Sequence, residues 1–276
     1  MTISALILAK NEEKMIEDCL KQLKFANEVI VLDQNSHDKT AQIASRYADK
    51  IITSNFEDFD KNRNLLASEA KSDWLLYVDA DERLSQELIE EIKDKTSRND
   101  QVAYLGPQSR FYRGTRTAEC SAFYFPRKNT ILGKWLKHGG WWPDYVPRLF
   151  KKDKFINWVG RVHESPKVQG EFGYLKTPIE HLTARNLSLM LKKTTGWAKV
   201  EAELFYKADH PPVTILKVVK ALLSEFINRY LTKLGFLDGQ VGLIEAIYQA
   251  LHKSIVMTYL WEIQNNANRK FKTISY

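Results

Sequence analysis

Asp79-Ala80-Asp81 follows the apolar run Trp74-Leu75-Leu76-Tyr77-Val78. Two carboxylates at i and i+2 on a strand end can share one divalent cation, directly or through one side chain and one water. The triplet alone is not specific. A second copy, Asp58-Phe59-Asp60, opens a polar segment and reads as a helix cap. The competing role for Asp79 and Asp81 is capping of a helix that starts near Ser85. Two other apolar runs also end in acids, Asn11-Glu12-Glu13 after Ala9 and Asp33-Gln34-Asn35-Ser36 after Leu32. Asp33 is a candidate acceptor for a nucleobase N–H, or else part of a capping turn with Ser36 and Asp38. Lys61-Asn62-Arg63-Asn64 would set cations against a diphosphate, or form a solvated helix turn. Farther on, Lys137-His138-Gly139-Gly140-Trp141-Trp142-Pro143-Asp144 joins glycines to two indoles. Trp141 and Trp142 have the faces on which sugar rings stack. Asp144 and Glu164 are the candidate general bases of this half. His163 or His181 would add a metal ligand, although isolated histidines are commonly structural. Neither an i,i+4 histidine pair nor a cysteine pair is present, which argues against a zinc hydrolase.

The elements that must position these groups alternate over the first hundred residues. Apolar strands at 2–9, 28–33, 50–53 and 73–79 are separated by helical patterns at about 15–23, 39–47 and 60–70. Continuous apolar strands joined by helices specify βαβ units on a parallel sheet covered on both faces. Ligands of such sheets lie beyond the carboxyl ends of the strands, where Glu12, Asp33, Asp79 and Asp81 fall. None of these ends has a glycine-rich phosphate turn, so an acidic rim would hold a nucleoside diphosphate through a divalent cation. From about residue 101 the texture changes to short aromatic segments, Phe111-Tyr112-Arg113-Gly114, Phe123 to Arg127 and His138 to Phe150, which read as antiparallel strands and loops. Beyond Arg185 the chain reads as three helices, at about 187–206, 214–234 and 243–263. The expected division is 1–185, with a nucleotide half to 100 and an acceptor half from 101, followed by a basic helical region at 186–276.

Composition narrows the class. The 276 residues are 44% hydrophobic and 27% charged, as in an ordinary globular chain. Two cysteines, Cys19 and Cys120, cannot build a disulfide framework, and a reducing compartment follows. No signal peptide and no apolar run of the ~20 residues a spanning helix needs is visible, so a cytoplasmic chain is expected. The net charge of +7 is uneven. Residues 1–100 hold 14 Lys and Arg against 21 Asp and Glu, and residues 101–276 hold 27 against 13. The basic part is expected to meet something anionic, or to be a solvated surface. The segment 214–234 sets Lys217, Lys220, Ser224, Asn228 and Arg229 beside a wide apolar face. Its reading here is core packing with some contact to an anionic membrane surface.

These segments together resemble the inverting GT-A glycosyltransferases of family 2. The likeness rests on Asn11-Glu12-Glu13, Val31-Leu32-Asp33-Gln34-Asn35-Ser36, Lys61-Asn62-Arg63-Asn64 and Tyr77-Val78-Asp79-Ala80-Asp81-Glu82-Arg83. Gly139 to Asp144, Arg148-Leu149-Phe150, Val162-His163-Glu164 and Gly235 to Gly239 are similar to the lipopolysaccharide core enzymes that add β-linked glucose to the first inner-core heptose. The resemblance implies an α/β GT-A fold, a Rossmann-like mostly parallel sheet with helices on both faces, plus a C-terminal helical extension. It implies that Glu12, Asp33 and Arg63 contact the nucleotide, that Asp79 and Asp81 hold Mg²⁺ or Mn²⁺ on UDP, and that Glu164 fits the base better than Asp144. The chain departs from the family pattern at Leu8, Lys10, Gln34 and Asn35. The implied partners are a UDP-sugar, a phosphorylated lipopolysaccharide inner core and the cytoplasmic face of the inner membrane, with no nucleic acid. Two other classes compete. Leu76 to Asp81 also fits an aspartyl-phosphate phosphatase of the haloacid-dehalogenase type, and the basic half fits a non-catalytic protein that binds nucleic acid or membrane.

Overall fold

The computed structural model describes residues 1–56, 58–97, 120–160 and 164–273. Phe111 to Gly114, Val162 and His163 lie outside the described residues. The chain divides into two compact units, one of residues 1–128 and 144–182, the other of 129–143 and 183–276.

The first unit opens with β1 (Ile3–Ala9), α1 (Ile16–Lys21), β2 (Glu28–Asp33), α2 (Thr40–Ala44), β3 (Lys50–Thr53), α3 (Phe59–Glu69), β4 (Trp74–Asp79), β5 (Glu82–Arg83) and α4 (Gln86–Ser97). It continues through β6 (Cys120–Ile131), whose last residues belong to the second unit together with β7 (Lys134–Trp135). Then come β8 (Asp144–Lys151), β9 (Phe155–Val159), β10 (Ser165–Val168), β11 (Glu171–Tyr174) and β12 (Ile179–His181). The strands run in the order β3-β2-β1-β4-β8-β6-β12-β5. β1 pairs in parallel with β2 and β4, and β2 with β3. β8 joins antiparallel to β4, and β6 antiparallel to β8.

Strand residues alternate between two cores, as the period of two requires. Ile3, Ala5 and Ile7 of β1, Val29 and Val31 of β2, and Leu76 and Val78 of β4 pack with α1 and α4. Leu6, Ile30, Leu32, Leu75 and Tyr77 face the other way, against Leu66 and Ala67 of α3 and against Phe150 and Trp158. Both faces are dry, which is why these strands read as unbroken apolar runs. The expected sheet and its flanking helices are present.

The capping question is resolved locally. Ser85 caps α4 itself, its Oγ accepting from Leu88 N at 3.2 Å, so Asp79 and Asp81 are released from that duty. Asp58 does precede α3, but its carboxylate pairs with Lys61 instead of bonding a helix N–H.

In the second unit α5 (Leu187–Lys207) and α6 (Ile215–Ile227) pack against α7 (Gly239–Thr273). A wide turn at Asn228–Thr232 and a short 3₁₀ turn at Gly235–Asp238 link the last two. Their core holds Ala198, Ala202, Val213, Val256, Met257 and Leu260. One expectation is corrected here. The apolar face of 214–234 is not core: α6 has no buried residue, and Ile215 and Leu216 are 74% and 77% exposed. Only its Val218 and Ala221 edge reaches the cluster. No helix among the described residues is long and apolar enough to cross a membrane.

Glu245 of α7 is buried, and one of its carboxylate oxygens has no partner. Burial pushes its carboxyl up to about 7, against the opposing hydrogen bond from Gln249 and the charge of Arg229. A raised carboxyl means that the folded chain binds the extra proton, so stability falls as pH rises from the unfolded value of about 4.3 towards 7. Glu245→Gln should remove most of that slope in urea midpoints measured from pH 4.5 to 8.

Candidate active site

The carboxyl ends of β1, β2 and β4 bring three loops to one edge of the first unit. The loops after β1 and β2 are stitched together. Asn11 N donates to Ser36 Oγ at 2.8 Å, His37 N to Asn11 Oδ1 at 2.8 Å, Glu12 N to Thr40 Oγ1 at 2.8 Å and Glu13 N to Asp38 Oδ2 at 3.1 Å. Asn11 takes a left-handed turn at φ 56°, which asparagine tolerates better than other side chains with a Cβ. Glu12 is thereby placed on the rim, half-buried.

Asp33 ends β2 and is buried. Its Oδ2 accepts from Ser36 N at 3.0 Å, whereas Oδ1 is enclosed without a partner. The capping turn therefore uses one oxygen and leaves the other without a donor. An enclosed carboxylate oxygen without a donor is costly, and a base N–H would satisfy it.

Arg63, on α3, is buried over the faces of Tyr77 (5.5 Å) and Trp158 (5.1 Å). Its Nε donates to Glu164 Oε1 at 2.8 Å and its terminal nitrogen to Asp79 Oδ1 at 3.1 Å. The helix backbone is held from behind, since Tyr77 Oη donates to the Arg63 carbonyl at 2.9 Å. One guanidinium thus ties the candidate base to the first aspartate of the pair.

Asp79 has a second guanidinium on its other oxygen, that of Arg148 from β8. Burial alone would raise the Asp79 carboxyl, but Arg148, Arg63, His181 and Arg127 outweigh it and hold it well below the usual carboxylate range. Arg148 also bonds Glu82 Oε1 at 2.6 Å, and Glu82 Oε2 accepts from Asp79 N at 3.0 Å. Burial alone would lower the Arg148 guanidinium, but Asp79 and Glu82 outweigh it and raise it above its ordinary value.

Arg148 and Glu82 were given no role from the sequence. The available signal was an arginine inside the apolar strand segment Val146 to Phe150, which must find an acid when buried. Arg148→Met would leave Glu82, which is fully buried, without its counter-charge. Breaking a buried pair in this way costs about 3–5 kcal/mol, readable as a lower urea midpoint at pH 7.

Asp81 and His181 stand together. His181 ends β12, where it pairs with Glu82, and its Nε2 lies 3.5 Å from Asp81 Oδ2. The Leu182 N–H bonds the Asp81 carbonyl at 2.8 Å and fixes the junction. Among the described residues no group of three His, Cys, Asp or Glu side chains closes a cation cage. The donor set of one carboxylate and one imidazole suits Mn²⁺ better than Mg²⁺, which prefers oxygen ligands throughout; either ion can be held by one or two protein ligands beside substrate phosphates and water. Asp79 fits such an ion less directly, because each of its oxygens already accepts from an arginine.

Asp144, at the start of β8, takes both Nε and a terminal nitrogen of Arg127 on one oxygen, at 2.8 and 2.7 Å. Trp141 and Trp142 belong to the second unit. Arg229 lies over the Trp141 ring at 5.7 Å, and Trp142 stands edge-on to Trp135 at 5.4 Å.

Residues 4–158 match the family described as glycosyl transferase family 2. An uncharacterized glycosyltransferase of Rickettsia typhi is 36% identical over 99% of this chain and 91% of its own length. The lipopolysaccharide core biosynthesis glycosyltransferase LpsC of Rhizobium meliloti is 24% identical over 95% of this chain and 93% of its own. Among solved structures, TarS of S. aureus is 15% identical, covering 92% of this chain and 49% of that one with a TM-score of 0.43. At that distance the likeness adds nothing to the topology described above. The phosphatase and the non-catalytic readings find no counterpart in these matches, and Asp79, with both oxygens held by guanidinium groups, is poorly placed as a nucleophile. The mostly parallel sheet with helices on both faces is that of the GT-A fold, and the chain belongs to glycosyl transferase family 2.

Proposed function

We propose that this glycosyltransferase is an inverting hexosyltransferase that moves glucose from UDP-glucose to the inner-core heptose of a phosphorylated lipopolysaccharide acceptor at the cytoplasmic face of the inner membrane. The observation that carries the reading is the chain Glu164–Arg63–Asp79. It sets a carboxylate able to accept a proton beside the aspartate that ends β4, where the donor diphosphate would lie. The likeness to LpsC supports the acceptor class.

In the reaction, Glu164 takes the proton of the acceptor hydroxyl as that oxygen bonds the anomeric carbon. The bond from that carbon to the UDP oxygen breaks on the opposite face, and the configuration inverts. Arg63 orients Glu164 through its Nε hydrogen bond. Asp33 Oδ1 receives the uracil N–H, and Glu12 borders the nucleotide. Asp81 and His181 would hold Mg²⁺ or Mn²⁺, which when bound supplies positive charge to the departing diphosphate. Asp79 acts from behind by fixing Arg63 and Arg148.

Incubation with UDP-glucose and lipopolysaccharide truncated at the inner core, followed by NMR of the product, tests this. A β-glucosyl product is expected from the α-linked donor. An α-linked product, or no transfer from any UDP-hexose, would refute it.

A further inference from the structure

α6 presents an apolar stripe that stays exposed among the described residues. Ile215, Leu216, Val219, Leu223 and Ile227 are all exposed and follow the 3.6-residue period on one side of the helix. Immediately beyond it Leu231, Leu234, Phe236 and Leu237 are exposed as well. Single exposed leucines are ordinary, but nine large apolar side chains within 23 residues are not.

Charge says what covers them. The second unit carries 15 Lys and Arg against 7 Asp and Glu. Around the stripe the imbalance is sharper, because both nearby acids are already engaged. Glu225 is paired with Arg229 at 2.7 Å. Asp238 is buried and accepts from the backbone and ring of His138. Lys217, Lys220 and Lys233 remain beside the apolar residues, with Lys220 and Lys233 exposed. A helix with a wide apolar face and flanking lysines is the pattern that lies in the interface of an anionic bilayer. A second copy of the chain fits less well, since a two-fold pairing sets the same lysine-flanked patch on both sides.

We infer that the α6 stripe and the turn that follows it form a lipid-docking surface, in which Leu216 and Leu223 enter the acyl boundary and the lysines meet anionic headgroups. This deepens the proposed function by assigning the membrane contact to named residues, but its test needs neither donor nor acceptor.

Full-length protein is sedimented with vesicles of phosphatidylglycerol and phosphatidylethanolamine, and separately with phosphatidylcholine alone. Binding is expected to the anionic vesicles and to weaken with salt. L216E/L223E should lower that binding by at least about tenfold, from the lost apolar burial, with an unchanged thermal melt because both positions are exposed. Three results would overturn the inference: no binding of wild type to anionic vesicles at low salt, equal binding by the variant, or a wild-type dimer that the variant makes monomeric without any lipid binding. Transfer to a soluble inner-core oligosaccharide separates the two readings. Transfer without vesicle binding removes only the docking surface, and vesicle binding without transfer removes only the proposed reaction.

Discussion

Glu164→Gln is expected to lower kcat by about 10²–10⁴-fold, the usual contribution of a positioned general base, with UDP affinity little changed. The amide is nearly isosteric and its oxygen still accepts from Arg63 Nε, so the contact that orients the side chain survives. What disappears is the ability to receive the acceptor proton. Asp144→Asn is the matched control. Asp144 sits on Arg127, apart from the Arg63 bridge, and its amide should cost only a few-fold. Steady-state kinetics on both variants decides between them. A collapse confined to Asp144→Asn would move the base to β8 and leave the Arg63 bridge a structural device.

The second large effect concerns the two aspartates, which the structure separates although they are two residues apart. Asp81→Ala removes the carboxylate next to His181 and keeps the Asp79 bonds to Arg63 and Arg148. It should abolish divalent-cation dependence and reduce transfer by more than about 10²-fold, as loss of an electrostatic stabiliser of the leaving group does, with the urea midpoint unchanged. Asp79→Ala should lose comparable activity and also stability, because Arg63 and Arg148 are both left buried without their shared acid. The acid limb of stability carries the same signature. A carboxyl depressed in the folded state contributes stability that is present above its unfolded value of about 3.9 and is lost as pH falls through the folded one. Asp79→Asn should therefore flatten the loss of stability below about pH 4.

Much of the scaffold was legible because its signals are local. The runs Ile3 to Ala9, Glu28 to Asp33 and Trp74 to Asp79 announce strands buried on both faces, and those are the strands observed. Their carboxyl ends then locate the rim by topology alone. Asp79 and Asp81 could be nominated together, but not told apart, since what distinguishes them arrives from far along the chain. Arg63 reaches Glu164 across 101 residues, and Arg148 reaches Asp79 across 69. No periodicity encodes such a pairing. The orphaned oxygen of Asp33 was equally hidden, because capping and binding use the same residue type. α6 shows the opposite limit. Its amphipathic pattern is identical whether the apolar side meets protein or lipid, and only the exposed stripe in the folded chain separates the two.

If the β1, β2 and β4 ends hold a nucleoside diphosphate with the help of a divalent cation at Asp81 and His181, UDP binding depends on that cation. Calorimetric titration of UDP into the full-length protein, with and without Mn²⁺, addresses it most directly. Saturable binding that strengthens with Mn²⁺ and loses that dependence in Asp81→Ala is the expected result. A folded wild-type protein that binds no UDP with any divalent cation, or binds it equally well in Asp81→Ala, would contradict it.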